Sequence, residues 1–598
     1  MADSNQPSTA FFGYPPAIQA PLTSFQKKED TNPLVRGRLL VVLAWFVSRL
    51  PFLQKLLWTN AGFSSVRSLK VLDEYTERWD PTVIPLSSGT HVTEIPSIES
   101  IRQLPTNLPG RYHSAADYHS LYLSGKLTPL AVVESLLPLI RRDIEPTPRH
   151  AVAFTDSRVD DIIAAAKAST LRYQAGKPLS IIDGVPTAIK NDSNVKGYRT
   201  TSGRKKNDAI FPIEEESTWP VQNWVNAGVI VMGVCNMHEV GCDTTNNNPH
   251  WGTPLNPHNS KYYPGGSSGG PAYAVSAGLI PFALGSDGGG SIRIPSSFCG
   301  LYGLKTSHGR LEETNSTVTV NGPLAASMAD LEIAYRIMGQ PNPSSPICSL
   351  FSPPKTAGTK PKVLGIYKEW FNRADPSVLG LCNQVLDYYT SKLGYKFVDI
   401  TLPNLPEAQS AHAMTILAKM VMRARSNPAF AGNYMDGLNP ATKVLLGVGA
   451  QTPATDYLAA QQLRNMLMCH LSYLYKQHPG LIIVSPTTPI PGWPIDQDLD
   501  LIYGVTDANT SVRNMEYVWL ANFCGNPAIS CPIGYVDPVK GTGKIPVGFM
   551  AMGEWGTEDI LIEWGRDAEK WLVEELPGGR LKPGNWEDVV VNATAKTV

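Results

Sequence analysis

The segment from Pro264 to Arg310 constrains this chain more than any other. It opens with Pro-Gly-Gly-Ser-Ser-Gly-Gly-Pro at 264–271 and reaches Gly-Ser-Asp-Gly-Gly-Gly-Ser-Ile-Arg-Ile-Pro at 285–295. Two glycine-rich turns flank an apolar stretch, so Leu279 to Leu284 is expected to be a buried strand delivering the chain into Gly288, Gly289 and Gly290. Residues without a Cβ let successive backbone N–H groups converge on one spot. Such a spot stabilises an oxyanion. Ser291 follows it directly and is a candidate nucleophile toward a carbonyl whose oxygen develops charge against the amides of Gly288 to Ser291. That geometry suits acyl transfer.

A serine hydroxyl needs a proton acceptor, and no histidine lies near Ser291 in sequence. Lys190 ends the run Asp183-Gly184-Val185-Pro186-Thr187-Ala188-Ile189-Lys190, which reads as a strand covered on both faces. Desolvation there disfavours the ammonium form and makes a lysine a feasible base. The plainer alternative is a lysine at a strand end reaching solvent. A rival constellation is the nucleophile elbow, because Gly265-Gly266-Ser267-Ser268-Gly269 fits Gly-x-Ser-x-Gly, with His308, His412 and His470 downstream as bases. It ranks second, since an elbow needs a strand just before the serine and Pro257 to Pro264 reads as a loop. No Gly-x-x-x-x-Gly-Lys-Ser/Thr occurs in this region, and His238-Glu239 lacks the second histidine of a zincin. No metal and no cofactor is implied, and His238 reads as a structural hydrogen-bonder.

The 598 residues carry a formal net charge of −1, with 42% hydrophobic and 17% charged residues, which fits neither disorder nor a nucleic-acid binder. With 50 Gly and 50 Pro but no triplet period, a loop-rich enzyme remains. The eight cysteines are dispersed without Cys-x-x-Cys and read as reduced core residues. The opening Met-Ala-Asp-Ser-Asn-Gln lacks the basic and apolar regions of a signal peptide, so the expected location is intracellular, either cytoplasmic or peripherally membrane-associated.

Residues 1–114 read as an N-terminal extension and 115–598 as one large mixed α/β domain. Within the extension an apolar run from Leu39 to Val47 continues through Leu50, Phe52, Leu53, Leu56, Leu57 and Trp58, giving an expected helix around 38–58. Its interruptions make it too polar to span a bilayer. It is either an interfacial helix with Arg36, Arg38, Arg49 and Lys55 at lipid headgroups, or a helix packed on the body of the protein. Further on, Thr128-Pro129 starts a helix, Trp219 to Asn226 is a helix ended by Gly228, and Val229 to Val234 is a strand. The helix of Val378, Leu381, Val385, Tyr389 and Leu393 closes at Gly394 before a strand over Tyr395 to Leu402. Leu481 to Val484, Ala528 to Cys531 and Val547 to Met552 are further short apolar runs.

Gly-Gly-Ser-Ser-Gly-Gly at 265–270, Asp-Gly-Gly-Gly-Ser-Ile-Arg-Ile-Pro at 287–295 and Gly-Val-Pro-Thr-Ala-Ile-Lys at 184–190 together resemble the amidase signature family. The likeness extends over roughly residues 115–570. Within the family it is nearest to plant-type fatty acid amide hydrolases, through His238-Glu239, Thr244 to Asn248, Trp251-Gly252-Thr253 and Gly365 to Asn372. The resemblance implies a large mixed twisted sheet with helices on both faces. It also implies a Ser–cisSer–Lys triad of Ser291, Ser267 and Lys190, in which Ser267 bridges nucleophile and base. Ser268, Asp287 and Arg293 match positions that support the loop, and Gly241 matches a position near the substrate carbonyl. Met550 departs from the glutamine that many relatives carry. The implied activity is hydrolysis of long-chain fatty acid amides such as N-acylethanolamines through an acyl-enzyme. Small or aryl amides are the alternative, and a glutamine-dependent amidotransferase subunit ranks below both. Expected partners are thus a small-molecule, lipid-like amide and no nucleic acid, with membrane contact through the N-terminal helix and a homodimer as further expectations.

Overall fold

The computed structural model describes residues 10–27, 32–86, 105, 108–311, 316–354, 362–425 and 432–595. The opening residues on which the signal-peptide reading rests lie outside these. Eleven strands form one mixed sheet: β1 (Phe154–Asp156), β2 (Pro186–Lys190), β3 (Ile230–Cys235), β4 (Phe282–Asp287), β5 (Tyr302–Lys305), β6 (Val320–Ala325), β7 (Val363–Ile366), β8 (Lys396–Asp399), β9 (Leu481–Pro486), β10 (Ala528–Val536) and β11 (Ile545–Met552). Their order is β8-β7-β9-β11-β10-β5-β6-β4-β2-β3-β1, with helices on both faces.

The sheet puts the two sequence-distant motifs side by side. β2 runs parallel to β4 with Ala188 opposite Ala283 and Ile189 opposite Leu284, so Lys190 at the end of β2 meets the end of β4. Every residue of β2 and β4 is buried, as expected for central strands covered on both faces. The strand of the glycine–serine segment nevertheless begins at Phe282, not Leu279. Helix Gly269–Ser276 ends at Gly278, whose φ of +81° turns the chain, and Leu279 and Ile280 carry it back to the sheet. The strand then runs three residues beyond Leu284, to Asp287. β3 likewise starts at Ile230, because the Val229 amide still donates to Trp224 O across the left-handed Gly228. Of the expected Tyr395–Leu402 strand only Lys396–Asp399 pairs.

The helices that matter for the site are α1 (Gly37–Val47), α2 (Pro51–Asn60), α3 (Gly269–Ser276), α4 (Arg293–Phe298), α5 (Leu405–Arg425) and α6 (Pro440–Gly449). The single helix expected around 38–58 is in fact two, bent by 113°. Pro51 has no amide to continue α1 and its ring suits the first turn of a new helix, so the break falls at Ser48–Leu50. Gln54 Nε2 donates to Val47 O at 2.7 Å across the bend. α1 buries Leu40, Ala44 and Val47 at helical spacing, and α6 lies beneath them. Val35 pairs antiparallel with Thr506 and Arg36 with Val505, which ties the segment before α1 to residues 505–506.

Candidate active site

Lys190 is fully buried, and its Nζ lies 2.8 Å from Ser267 Oγ and 2.8 Å from Ser286 Oγ. Asp192 Oδ2 stands 3.3 Å from the same nitrogen and accepts the Ser286 hydroxyl at 2.5 Å. Burial pushes the Lys190 amine below its ordinary range, against the opposing pull of Asp192 and, more weakly, Asp287. The strand-end lysine therefore points into the protein and not to solvent.

Ser267 follows a cis peptide bond from Gly266. Its carbonyl accepts the His238 amide at 3.1 Å, and the neighbouring Ser268 amide donates to Ser291 O at 3.2 Å, which ties the two serine-bearing turns together. Ser268 Oγ donates to Ser286 O at 3.2 Å. Ser291 is half-buried, and its Oγ makes no hydrogen bond to a described residue. Gly241, at φ +78°, faces the same point: a Cβ there would lie 3.5 Å from Ser267 Oγ and 3.9 Å from Met420 Cε.

The triple-glycine turn hangs on Asp287. Its Oδ1 accepts the Gly290 amide at 2.8 Å, and its Oδ2 accepts those of Ile292 at 3.1 Å and Arg293 at 3.4 Å. This differs from the expectation that all amides from Gly288 to Ser291 face one oxyanion. The Gly290 N–H is taken by the carboxylate, leaving those of Gly288, Gly289 and Ser291 with no acceptor among the described residues. Arg293 pairs with Asp287 through Nε and Nη2 at 3.0 and 2.9 Å, both side chains fully buried, and the pair holds the Asp287 carboxyl well below the usual carboxylate range. Arg293 also donates to Asn522 Oδ1 at 2.7 Å and to the Met550 sulfur at 3.3 Å. Met550 thus touches the loop's support.

The histidines of the rival elbow are engaged elsewhere. His308 meets Thr82 Oγ1 and Ser316 O, and His470 meets the Ala20 amide and Thr401 O. His412 Nε2 lies 2.7 Å from Gly288 O. None reaches Ser267, and no strand precedes that serine, so the elbow is not built. His238 is buried with Nδ1 3.4 Å from Thr245 Oγ1, and no group of three metal-ligating side chains occurs among the described residues. Sequence reasoning missed Ser286 and Asp192, and it offered His412 only as a base of the rival elbow, not as a support of Gly288. Asp192, two residues past Lys190, carried the one local signal, an acid beside a candidate base. His412 comes from α5, and no local pattern announces it.

The sequence model of the family described as Amidase matches residues 137–562. A fatty acid amide hydrolase of Arabidopsis thaliana is 34% identical over 80% of this chain and 79% of its own length. A fatty acid amide hydrolase of Medicago truncatula is 33% identical, again over 80% of this chain and 79% of its own length. A solved structure from work on a vestigial protein complex and the origins of an s-triazine catabolic enzyme superposes with a TM-score of 0.67 at 25% identity, covering 79% of this chain and 100% of that one.

Proposed function

The chain belongs to the Amidase family and is an amide-hydrolysing enzyme, and from that premise we propose that Ser291 attacks the amide carbonyl, with Ser267 as proton relay and Lys190 as base. The observation that carries this reading is the buried Lys190 amine 2.8 Å from Ser267 Oγ. As Ser291 Oγ attacks, its proton passes to Ser267, whose own proton passes to Lys190. The reverse transfer protonates the departing nitrogen, without which an amide does not release its amine. Water then repeats the cycle on the acyl-enzyme. The carbonyl oxygen, as it gains charge, is met by the free amides of Gly288, Gly289 and Ser291. A fluorophosphonate probe should label Ser291, and Ser291→Ala and Lys190→Ala should each lose at least about a hundredfold in kcat. Labelling of another serine with full turnover in Lys190→Ala would overturn the mechanism.

We propose further that the acyl group is a long alkyl chain, with N-acylethanolamines as the substrate type. The Arabidopsis relative is named for fatty acid amides. Here the apolar side chains of Ile416 and Met420, one helical turn apart on α5, flank Gly288 and Gly241 respectively, and Met515 lies over Gly289. Each buried methylene contributes about 0.8 kcal/mol, so kcat/KM should rise about fourfold per CH₂ until the path is filled. A flat or falling series would assign small or aryl amides instead.

The bent pair α1 and α2 we read as a contact with a lipid surface. Leu39, Val42, Trp45 and Phe46 on α1 and Phe52 and Leu56 on α2 are exposed while the opposite face of α1 is packed on the body. Arg49 sits 4.7 Å over the Trp45 ring at the rim of this surface. Arg36, expected at the headgroups, is instead paired with Asp496 and Asp500.

A further inference from the structure

The amine of Lys190 is surrounded by oxygens whose capacities to donate differ. Asp192 Oδ2 can only accept, so the 2.5 Å contact to Ser286 Oγ must be donated by the serine hydroxyl. That uses the one proton Ser286 has, and its 2.8 Å contact with Lys190 Nζ must then be donated by the amine. The remaining neighbours, Ser286 O at 3.4 Å and Asp192 Oδ2 at 3.3 Å, also only accept. A neutral amine has two N–H groups and one lone pair. Among the described neighbours, only Ser267 Oγ, at 2.8 Å, retains a proton with which to meet that lone pair. Asp192 Oδ1 is buried with no hydrogen-bond partner among the described residues, so the carboxylate's hydrogen bonding is confined to the Lys190–Ser286 side.

We propose, resting on the Ser291–Ser267–Lys190 reading, that Asp192 is a positioning residue that acts through Ser286: by holding the Ser286 proton it leaves Ser267 as the sole donor to the Lys190 lone pair, and so sets the direction of the proton relay. Without that acceptor, Ser286 is free to rotate and donate to the amine itself, competing with Ser267 and blocking the base. Asp192 also carries the nearest negative charge to Lys190, the other charged or titratable groups facing it being Asp287 and His238.

A double-mutant cycle in the full chain tests this, because the competing donor exists only while Ser286 is present. Asp192→Ala is expected to lower kcat about ten- to a hundredfold, within the range of general-base effects, with a smaller change in KM. In a Ser286→Ala background the same substitution should cost less than about threefold, since no hydroxyl is left to misdirect. An equal loss in both backgrounds overturns the proposal. Asp192→Asn retains an acceptor oxygen but removes the charge, so it should lose less kcat than Asp192→Ala while its acidic limb of kcat/KM moves to lower pH. A merely structural role would leave that limb in place. The parent reading fails separately: if Lys190→Ala keeps its turnover the triad is wrong, whereas if Lys190→Ala is inactive and the cycle is additive, only the role of Asp192 falls.

Discussion

His412 Nε2 lies 2.7 Å from the carbonyl oxygen of Gly288, and because a carbonyl only accepts, the ring is held as the tautomer protonated at Nε2. The contact joins α5 to the first glycine of the turn before Ser291. Replacing His412 by Phe removes the donor and leaves a buried carbonyl unpaired, at about 1–3 kcal/mol. The turn should then lose its register toward substrate, lowering kcat about tenfold or more. His412→Gln, which restores an N–H donor, should recover most of that loss in steady-state kinetics.

The same histidine gives a pH dependence of stability. Burial pushes it down to about 4, against about 6.5 for an unfolded histidine. Between those values the unfolded chain binds a proton that the folded chain refuses. The His412 contribution, on the order of 3 kcal/mol, is therefore complete above about pH 6.5 and is lost as pH falls through about 4. Urea unfolding at neutral and acid pH should show His412→Gln closing part of the gap between the two.

The buried Asp287–Arg293 pair holds the amides of Gly290 and Ile292 in place, so its partners are not equivalent to replace. Arg293→Met leaves the buried Asp287 carboxylate without its ion-pair partner, held by neutral donors alone, and should destabilise the protein by about 3–5 kcal/mol. Met550→Gln should act in the opposite direction. An amide oxygen is a better acceptor for Arg293 Nη1 than the sulfur now 3.3 Å away, and the gain is about 0.5–1.5 kcal/mol in chemical denaturation. Because Met550 touches the loop's support, the substitution should leave the shape of the acyl-length series as it was.

Gly241 and Gly290 both have positive φ, +78° and +107°, but alanine should fail at each for a different reason. At 241 the added Cβ finds ordinary contacts, so the fold pays about 1–2 kcal/mol for the left-handed backbone. The methyl then stands beside Ser267 Oγ, and kcat/KM should fall more than stability. At 290 the Cβ would lie 2.5 Å from Val518 Cγ2 and 2.8 Å from Ile294 Cδ1, so overpacking adds to strain. Thermal unfolding and kcat/KM measured together separate the two cases.

What could be read from the sequence was what local chemistry dictates. Thr128 caps its helix through the Ala131 amide with Pro129 in the first turn, and Gly228 ends another helix, because caps and turns depend on a few adjacent residues. Lys190 and the glycine turn stood out as candidates from their surroundings, whereas the bridging role of Ser267 came only with the family resemblance. Strand limits were less legible: Asp287 closes a strand whose apolar run stops at Leu284, because Arg293 and three backbone amides compensate its charge from outside the strand. The orientation of the Gly290 amide was hidden for the same reason. The break between α1 and α2 was announced by Pro51, but the apolar residues on both sides of it suggested continuity.

The exposed face of that helix pair leads to a prediction about surfaces. No single helix among the described residues is long and apolar enough to cross a membrane. With Leu40, Ala44 and Val47 buried, α1 is fixed to the body, so its other apolar side cannot turn inward without undocking. Leu39 at 69%, Phe52 at 66% and Leu56 at 63% exposure are the most open of these positions. A helix face of this kind lies in the plane of an interface, with binding that scales with the apolar area inserted. Full-length protein should therefore co-sediment with phosphatidylcholine vesicles containing anionic lipid, and the triple change Leu39→Ser, Phe52→Ser, Leu56→Ser should reduce bound protein at least about tenfold. Since exposed positions alter folding little, its stability should stay within about 0.5 kcal/mol of the parent at each site. Equal vesicle binding by both proteins would show that the bent pair serves the body of the protein alone.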